Sequence, residues 1–371
     1  MYSVNKSLKV MIGGGGTGGH IFPALAIANE IKGRYPEAEI LFVGAKGRME
    51  MTRVPEAGYQ IVGLPIAGLQ RRFTLDNFTL PFKVFMSLQK AISLVREFRP
   101  NVIVGVGGYA SAPLLLAARV LGVPYLIQEQ NSFAGLTNKM LGKKAKSVCV
   151  AFPEMGQYFP EKKIRMTGNP VRKDLLDMNL SQYEALAHFG LQPGAQTILV
   201  IGGSLGARTI NEAVAKSLED WSSKGYQLIW QTGNAFADKA KSLLAEQRNT
   251  GFITMPFIKE MNYAYAAADI VVSRAGALSL AEICITGKAS ILIPSPNVAE
   301  DHQTKNAMTL VRQNAAITIA DRDARKQLTE AANRLLQNTD QIELIGMAAH
   351  ALARPDATKS IVNQVIEIAR R

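Results

Sequence analysis

The sequence predicts two α/β domains, each a parallel sheet wrapped by helices. Three observations lead there: short β-rich runs alternate with helix-length amphipathic segments, glycine-rich turns join strand to helix, and the pattern restarts near the middle of the chain. At 371 residues the chain exceeds one ordinary core. Its 47% apolar and 19% charged side chains are the balance of a folded protein, not of a disordered one.

The first strand is expected at residues 10–12, followed by a glycine turn, a helix over 20–34 and a second strand at 40–43. Further strands are expected at 102–106, 125–127 and 147–150. The longest apolar stretch, 110–127, is divided by Pro113, Arg119, Gly122 and Pro124, so it reads as a buried helix and strand and not as a membrane span. Gly168-Asn169-Pro170-Val171-Arg172 then marks a turn between domains, because a residue before proline is pushed out of the helical region. Beyond it strands recur at 197–201, 228–231, 253–255, 270–273 and 291–293. The stretches 10–19 and 199–207 both read strand, glycine loop, helix, which suggests two Rossmann-like halves. The expected division is 8–168, 169–351 and a terminal segment 352–371 that ends as a helix.

Composition narrows the chemistry. Cys149 and Cys284 are the only cysteines, too few for a disulfide framework or a cysteine-rich zinc site, and a reducing compartment fits best. The first nine residues are short and polar and run into glycines, so no export signal is expected. Charge is uneven: residues 1–167 hold 21 Lys and Arg against 10 Asp and Glu, whereas 168–371 hold 21 against 20. The amino-terminal half should favour an anionic partner, although nucleic acid, phospholipid headgroups and a diphosphate would all satisfy that field, and plain solubility is the bland alternative.

The glycine loops refine this. Gly13 to Gly19 matches G-x-G-x-x-G in two registers, but the second strand ends Phe42-Val43-Gly44-Ala45 and lacks the acid that holds a dinucleotide ribose. No Lys-Ser or Lys-Thr follows, as a P-loop requires. Further loops open helices at Gly105-Val106-Gly107-Gly108-Tyr109, Gly202-Gly203-Ser204-Leu205-Gly206 and Ser273-Arg274-Ala275-Gly276. Four such turns favour phosphate binding, since glycine admits close approach and a helix amino terminus presents N–H groups and partial positive charge. In open α/β sheets ligands bind outside the carboxyl ends of the strands, so two such domains should share a cleft.

In order along the chain, Gly14-Gly-Gly-Thr-Gly-Gly-His-Ile-Phe-Pro-Ala24, Gly105-Val-Gly-Gly-Tyr109, Glu129-Gln-Asn-Ser-Phe-Ala-Gly-Leu-Thr-Asn138, Gly168-Asn-Pro-Val-Arg172, Gly202-Gly-Ser-Leu-Gly-Ala207 and Ser273-Arg-Ala-Gly-Ala277 form a highly specific set. Together they resemble the bacterial glycosyltransferase family that adds N-acetylglucosamine to undecaprenyl-diphospho-N-acetylmuramoyl-pentapeptide, over about residues 9–305. The resemblance implies a GT-B fold, two Rossmann-like domains with parallel sheets facing an interdomain cleft, and inverting, metal-independent transfer from UDP-N-acetylglucosamine to the acceptor's 4-hydroxyl, with no cofactor and no nucleic acid. It implies that the terminal helix packs back on the first domain.

The resemblance also assigns residues. Arg172 and Ser204 would lie near the donor diphosphate and Ile258 beside uracil. Ala277, Leu278, Ser279, Leu280, Ala281 and Glu282 would approach the nucleoside and phosphates, with Glu282 on the ribose hydroxyls. Gln303 would bind the sugar hydroxyls, as an amide that can both donate and accept. Thr17, Gly18, Gly19 and Asn131 would reach towards donor sugar and acceptor, and Gly15, Gly16, Gly107, Gly108 and Tyr109 would hold the acceptor diphosphate. For the base, His20 follows the first glycine loop at a helix start, where the dipole would keep it neutral, and Glu129 just past a strand end is its rival. Asp321-Arg322-Asp323 mimics an acidic metal motif but is expected to cap the next helix.

The resemblance implies a polyprenyl acceptor, which would place the enzyme peripherally on the cytoplasmic face of the inner membrane, against anionic lipid. Arg71 and Arg72 with Phe73, Leu75, Phe78 and Phe82 have the composition of an interfacial patch, and Lys139, Lys143, Lys144 and Lys146 add charge. Val84, Leu88, Ile92 and Val95 at helical spacing read as a core stripe. Two alternatives remain: another GT-B enzyme, such as a glycolipid synthase or a UDP-sugar epimerase, or a non-catalytic UDP-sugar-binding subunit that recruits a partner to the membrane.

Overall fold

The computed structural model describes residues 7–66, 80–203, 205–247 and 250–370. Two compact units emerge, one of Met1–Pro170 with Asp356–Arg371 and one of Val171–Pro355. Each carries a parallel sheet, as the alternating sequence pattern requires.

In the first unit the strands are β1 (Lys9–Gly14), β2 (Glu39–Ala45), β3 (Gln60–Leu64), β4 (Val102–Gly107), β5 (Tyr125–Glu129), β6 (Ser147–Val150) and β7 (Ile164–Met166). Their order in space is β3-β2-β1-β4-β5-β6-β7. The five strands expected from the sequence all form. The two that it missed, β3 and β7, are the edges, where one flank is open and the apolar run is diluted. Helices α1 (Gly18–Arg34), α2 (Glu50–Glu56), α3 (Leu80–Phe98), α4 (Ser111–Val120) and α5 (Leu136–Gly142) connect them.

Both faces of this sheet are covered. On one, Ala91, Val95, Leu114, Leu115, Leu141 and Ala145 pack on inward residues of β4, β5 and β6. On the other, Ile27 and Ile31 of α1 share a core with Ile361, Val362, Val365 and Ile366 of the carboxyl-terminal helix Ala357–Arg370. The spacing of those four is one helical stripe, and the core supplies its partner.

The second unit holds β8 (Thr197–Ile201), β9 (Gln227–Gln231), β10 (Phe252–Met255), β11 (Ile270–Ser273), β12 (Ala289–Leu292) and β13 (Ile317–Thr318), ordered β10-β9-β8-β11-β12-β13. Again the strand not anticipated, two-residue β13, is an edge. Its helices are α6 (Lys173–Leu176), α7 (Gln182–His188), α8 (Arg208–Ser223), α9 (Ala237–Ala245), α10 (Met261–Ala267), α11 (Ala277–Thr286), α12 (His302–Val311), α13 (Ala324–Leu336) and α14 (Thr339–Ala351); the terminal helix is α15. Trp221 and Trp230 anchor the core, and the Trp230 indole N–H donates to Asn211 Oδ1 at 3.0 Å.

Strand order positions the sites. In each unit the order reverses direction beside the strand that carries the first glycine loop, between β1 and β4 and between β8 and β11. At such a switch point neighbouring crossovers leave to opposite faces and open a crevice at the carboxyl ends of the strands. Among the described residues no helix is long and apolar enough to cross a membrane.

One helix face differs from expectation. In α3 the core stripe is Ser87, Ala91 and Val95, flanked by half-buried Leu88 and Ile92, whereas Val84 is 40% exposed. The buried stripe centres on the small residues Ser87 and Ala91, so the apolar spacing beginning at Val84 runs along its flank and not its centre.

Candidate active site

Strand β1 delivers the chain into a turn through Gly15 (φ +146°) and Gly16 (φ +89°), and β4 does the same through Gly107 (φ +93°) and Gly108 (φ +85°). Contacts as well as dihedrals demand glycine here. A Cβ on Gly108 would stand 2.2 Å from the Gly15 carbonyl oxygen, and one on Gly107 would stand 2.9 Å from the His20 ring. The two loops therefore interlock at the β1/β4 switch point. Gly16 faces open space, with nothing within 4 Å of where a Cβ would point.

His20 is the third residue of α1, behind Thr17 at the N-cap. Its Nδ1 lies 3.1 Å from the Gly15 carbonyl oxygen and 3.3 Å from Thr17 Oγ1. A carbonyl accepts and cannot donate, so this contact puts the proton on Nδ1 and, in the neutral ring, the lone pair on Nε2. Thr17 and Gly19 are exposed beside it, Gly18 is half-buried, and Tyr109 is exposed.

Glu129 ends β5 and is buried. Burial pushes its carboxyl above the ordinary range, opposed by hydrogen bonds. Oε1 accepts from Asn131 N–H at 3.1 Å, and Oε2 accepts from Gly135 N–H at 3.0 Å and Asn138 Nδ2 at 2.8 Å. The carboxylate thus ties down the loop that presents Asn131. Beneath it, Gln130 Nε2 donates to Val106 O at 2.8 Å, and Asn169 Nδ2 donates to Gln130 O at 2.9 Å. This buried amide network joins the ends of β4 and β5.

In the second unit the loop after β8 packs its backbone on the turn after β9. A Cβ on Gly206 (φ +77°) would lie 2.0 Å from Thr232 O, and one on Gly233 would lie 2.3 Å from Leu205 O. Gln231, at the end of β9, donates through Nε2 to Gly203 O at 3.1 Å and accepts from Ile258 N–H at 3.0 Å. Ile258 itself is buried. Ser204 lies outside the described residues.

Helix α11 starts after Gly276 at the end of β11, and its first turn holds no acidic residue to compete for an anion. Ala277 and Leu280 are buried, while Leu278, Ser279, Ala281 and Glu282 are half-buried. Glu282 Oε1 lies 3.3 Å from Arg172 Nε, and its Oε2 accepts from the Tyr265 hydroxyl at 3.1 Å. Burial raises the Glu282 carboxyl, and Arg172 and the Tyr265 hydrogen bond pull it back. Gln303, early in α12, accepts from Ser295 N–H at 2.8 Å through Oε1, which orients its amide nitrogen as the donor end.

Asp321 and Asp323 do not cap a helix: Asp323 stands at the N-cap of α13 without a side-chain bond. Asp321 instead accepts from Arg274 Nη1 at 2.5 Å and from Thr209 Oγ1 at 3.0 Å. A largely buried guanidinium outcompetes a solvated helix start for the carboxylate. Arg274 also donates to Ile293 O and Pro294 O, which pins the β11 loop to the end of β12.

Phe73, Leu75 and Phe78 lie outside the described residues. Phe82 is 66% exposed on α3, with Phe85 and Met86 also exposed. On α5, packed on the same face of the sheet, Leu136 and Met140 are exposed, as are Lys143, Lys144 and Lys146 just after it. Lys139 lies over the Phe133 ring, 3.6 Å from its centroid. Glu50, Tyr265 and Gln231 were not singled out from the sequence, and Arg274 was named only as part of a helix-opening loop. Gln231 had a signal, a polar residue closing an apolar strand, but the others are ordinary residues whose partners are distant in the chain.

Residues 10–150 match the glycosyltransferase family 28 N-terminal domain and residues 197–362 the family's C-terminal domain. The chain is 52% identical over 364 residues to the UDP-N-acetylglucosamine--N-acetylmuramyl-(pentapeptide) pyrophosphoryl-undecaprenol N-acetylglucosamine transferase of Cytophaga hutchinsonii, covering 98% of this chain and 97% of that one. It is 50% identical to the protein of the same name from Parabacteroides distasonis, over 98% of this chain and 99% of the relative. The crystal structure of Acinetobacter baumannii MurG superposes with a TM-score of 0.79 at 29% identity, over 97% of this chain and 99% of that one. A UDP-GlcNAc 2-epimerase from Neisseria meningitidis reaches 0.67 at 12% identity over 98% of this chain and all of its own, a likeness of fold alone.

Proposed function

The chain belongs to glycosyltransferase family 28, and from that premise we infer that it transfers N-acetylglucosamine from UDP-N-acetylglucosamine to undecaprenyl-pyrophosphate-linked N-acetylmuramyl-pentapeptide. The observation that carries this is about 50% identity along the whole chain to relatives that bear that activity in their names. It is an N-acetylglucosaminyltransferase.

The second unit takes the donor. Glu282 accepts hydrogen bonds from the ribose hydroxyls, Arg172 turns to the diphosphate, and Ile258 lies beside uracil. Ala277, Leu278, Ser279, Leu280 and Ala281 bring the α11 amino terminus to the nucleoside and phosphates, and Gln303 donates its amide N–H to a sugar hydroxyl. As UDP departs, negative charge grows on the diphosphate. Arg172, the α11 start and the backbone at Gly202 to Gly206, with Ser204, supply fixed dipoles for it, so we expect metal-independent turnover.

The first unit takes the acceptor. Gly15, Gly16, Gly107, Gly108 and Tyr109 approach its diphosphate, and Thr17, Gly18, Gly19 and Asn131 approach the sugars. His20 Nε2 takes the proton from the 4-hydroxyl, which attacks the anomeric carbon from the face opposite UDP and inverts it. Glu129 holds the Asn131 loop; its oxygens already accept three hydrogen bonds, which favours His20 as base.

The exposed apolar residues of α3 and α5 with the lysines that follow α5 suit an anionic membrane surface, the cytoplasmic face of the inner membrane, where a polyprenyl acceptor resides. Purified protein given labelled UDP-N-acetylglucosamine and the lipid acceptor should yield a labelled lipid disaccharide, with EDTA present throughout. Donor epimerisation without transfer would overturn the activity, and restoration by magnesium after chelation would overturn the metal-independent step.

A further inference from the structure

Glu50 opens α2 and is 1% exposed. Its Oε1 accepts from Ala45 N–H at 2.9 Å and its Oε2 from Gly16 N–H at 2.8 Å. Two glycines keep its seat clear: a Cβ on Gly15 would lie 2.2 Å from its carboxyl carbon, and one on Gly44 would lie 2.5 Å from its Cγ. The Gly16 N–H belongs to the same peptide group as the Gly15 carbonyl, and that carbonyl faces His20 Nδ1 at 3.1 Å. One peptide group therefore joins a buried carboxylate to a histidine.

We propose that Glu50 is a positioning residue for His20, acting through the Gly15–Gly16 peptide. A carboxylate on the N–H polarises the amide and makes its carbonyl a stronger acceptor for Nδ1–H. This holds the tautomer whose lone pair is on Nε2. When Nε2 takes the acceptor hydroxyl proton, the carboxylate stabilises the imidazolium across the peptide; the proton then leaves from Nε2 to solvent. The division of labour is that of the carboxylate behind the histidine in a serine-hydrolase triad, with a peptide group inserted. The catalytic part of this role rests on the reading of His20 as base, whereas the relay itself does not.

The test is ¹⁵N-histidine NMR of the full chain, with His20 assigned among four histidines by His20→Gln, beside kinetics of Glu50→Gln. Wild-type His20 should be protonated on Nδ1 when neutral. In Glu50→Gln, removal of a negative charge should lower the His20 pKa and carry the acid limb of kcat/KM to lower pH. The plateau kcat should fall about ten- to a hundredfold, by analogy with residues that orient metal-bound histidines, while acceptor KM changes little. A wild-type ring protonated on Nε2, read without any variant, would overturn the relay, as would an unchanged His20 titration in folded Glu50→Gln. Full turnover in His20→Gln would instead overturn the base reading and with it the catalytic part of the proposal.

Discussion

Arg172 Nε lies 3.3 Å from Glu282 Oε1, so the cation assigned to the donor diphosphate and the carboxylate assigned to the ribose form a pair with each other. Burial raises the Glu282 carboxyl and Arg172 lowers it. Ribose hydroxyls donate to the ionised form, so UDP affinity should weaken as pH falls through the raised pKa. In Arg172→Ala the carboxyl goes higher still and the weakening should begin at higher pH, read by calorimetry from pH 8 down to pH 5. Stability runs the other way: a carboxyl raised on folding contributes below its unfolded pKa and loses that contribution as pH rises through the folded value, so ligand-free Arg172→Ala should gain thermal stability on acidification.

Turnover and donor binding should separate at His20. His20→Ala should lower kcat by about 10²- to 10⁴-fold, the usual contribution of a general base, while UDP affinity stays near wild type. An equal loss of both would assign the ring to donor binding.

The glycines of the β8 loop differ in what they tolerate. Gly203→Ala meets open space and bears only the left-handed backbone penalty, about 1–2 kcal/mol. Gly206→Ala would add a Cβ 2.0 Å from Thr232 O and should cost more than about 3 kcal/mol, because neither backbone segment can yield. Urea unfolding of the two variants distinguishes them.

Asp321→Ala leaves the Arg274 guanidinium largely buried without its carboxylate and should destabilise the protein by about 3–5 kcal/mol. Arg274→Met with Asp321→Leu should recover much of that loss, since desolvating a paired charge is itself costly. Thermal unfolding of the single and double variants reads the difference.

Phe82→Ser with Phe85→Ser should reduce binding to anionic vesicles about tenfold or more, given the transfer energy of two aromatic side chains, and should spare transfer to a short water-soluble acceptor. Loss of both together would mean that these residues support the fold.

The interior strands, the glycine turns and the family were legible in the sequence because they are local: parallel strands buried on both faces read as apolar runs, and a tight turn must spell glycine. The edge strands β3, β7 and β13 were not, since an edge needs no continuous apolar run. Val84 reads as core by spacing but lies exposed, because the buried stripe of α3 runs instead through Ser87, Ala91 and Val95.

The sequence by itself determined two α/β units, the order of their loops and the chemistry they resemble, all carried by periodicity and short motifs. Tertiary structure alone decided that Glu50 lies beneath Gly16, that Tyr265 and Arg172 share Glu282, and that Asp321 serves Arg274 instead of capping a helix. Those pairings join residues that only strand order brings together, and a buried carboxylate takes whichever donors the fold places around it.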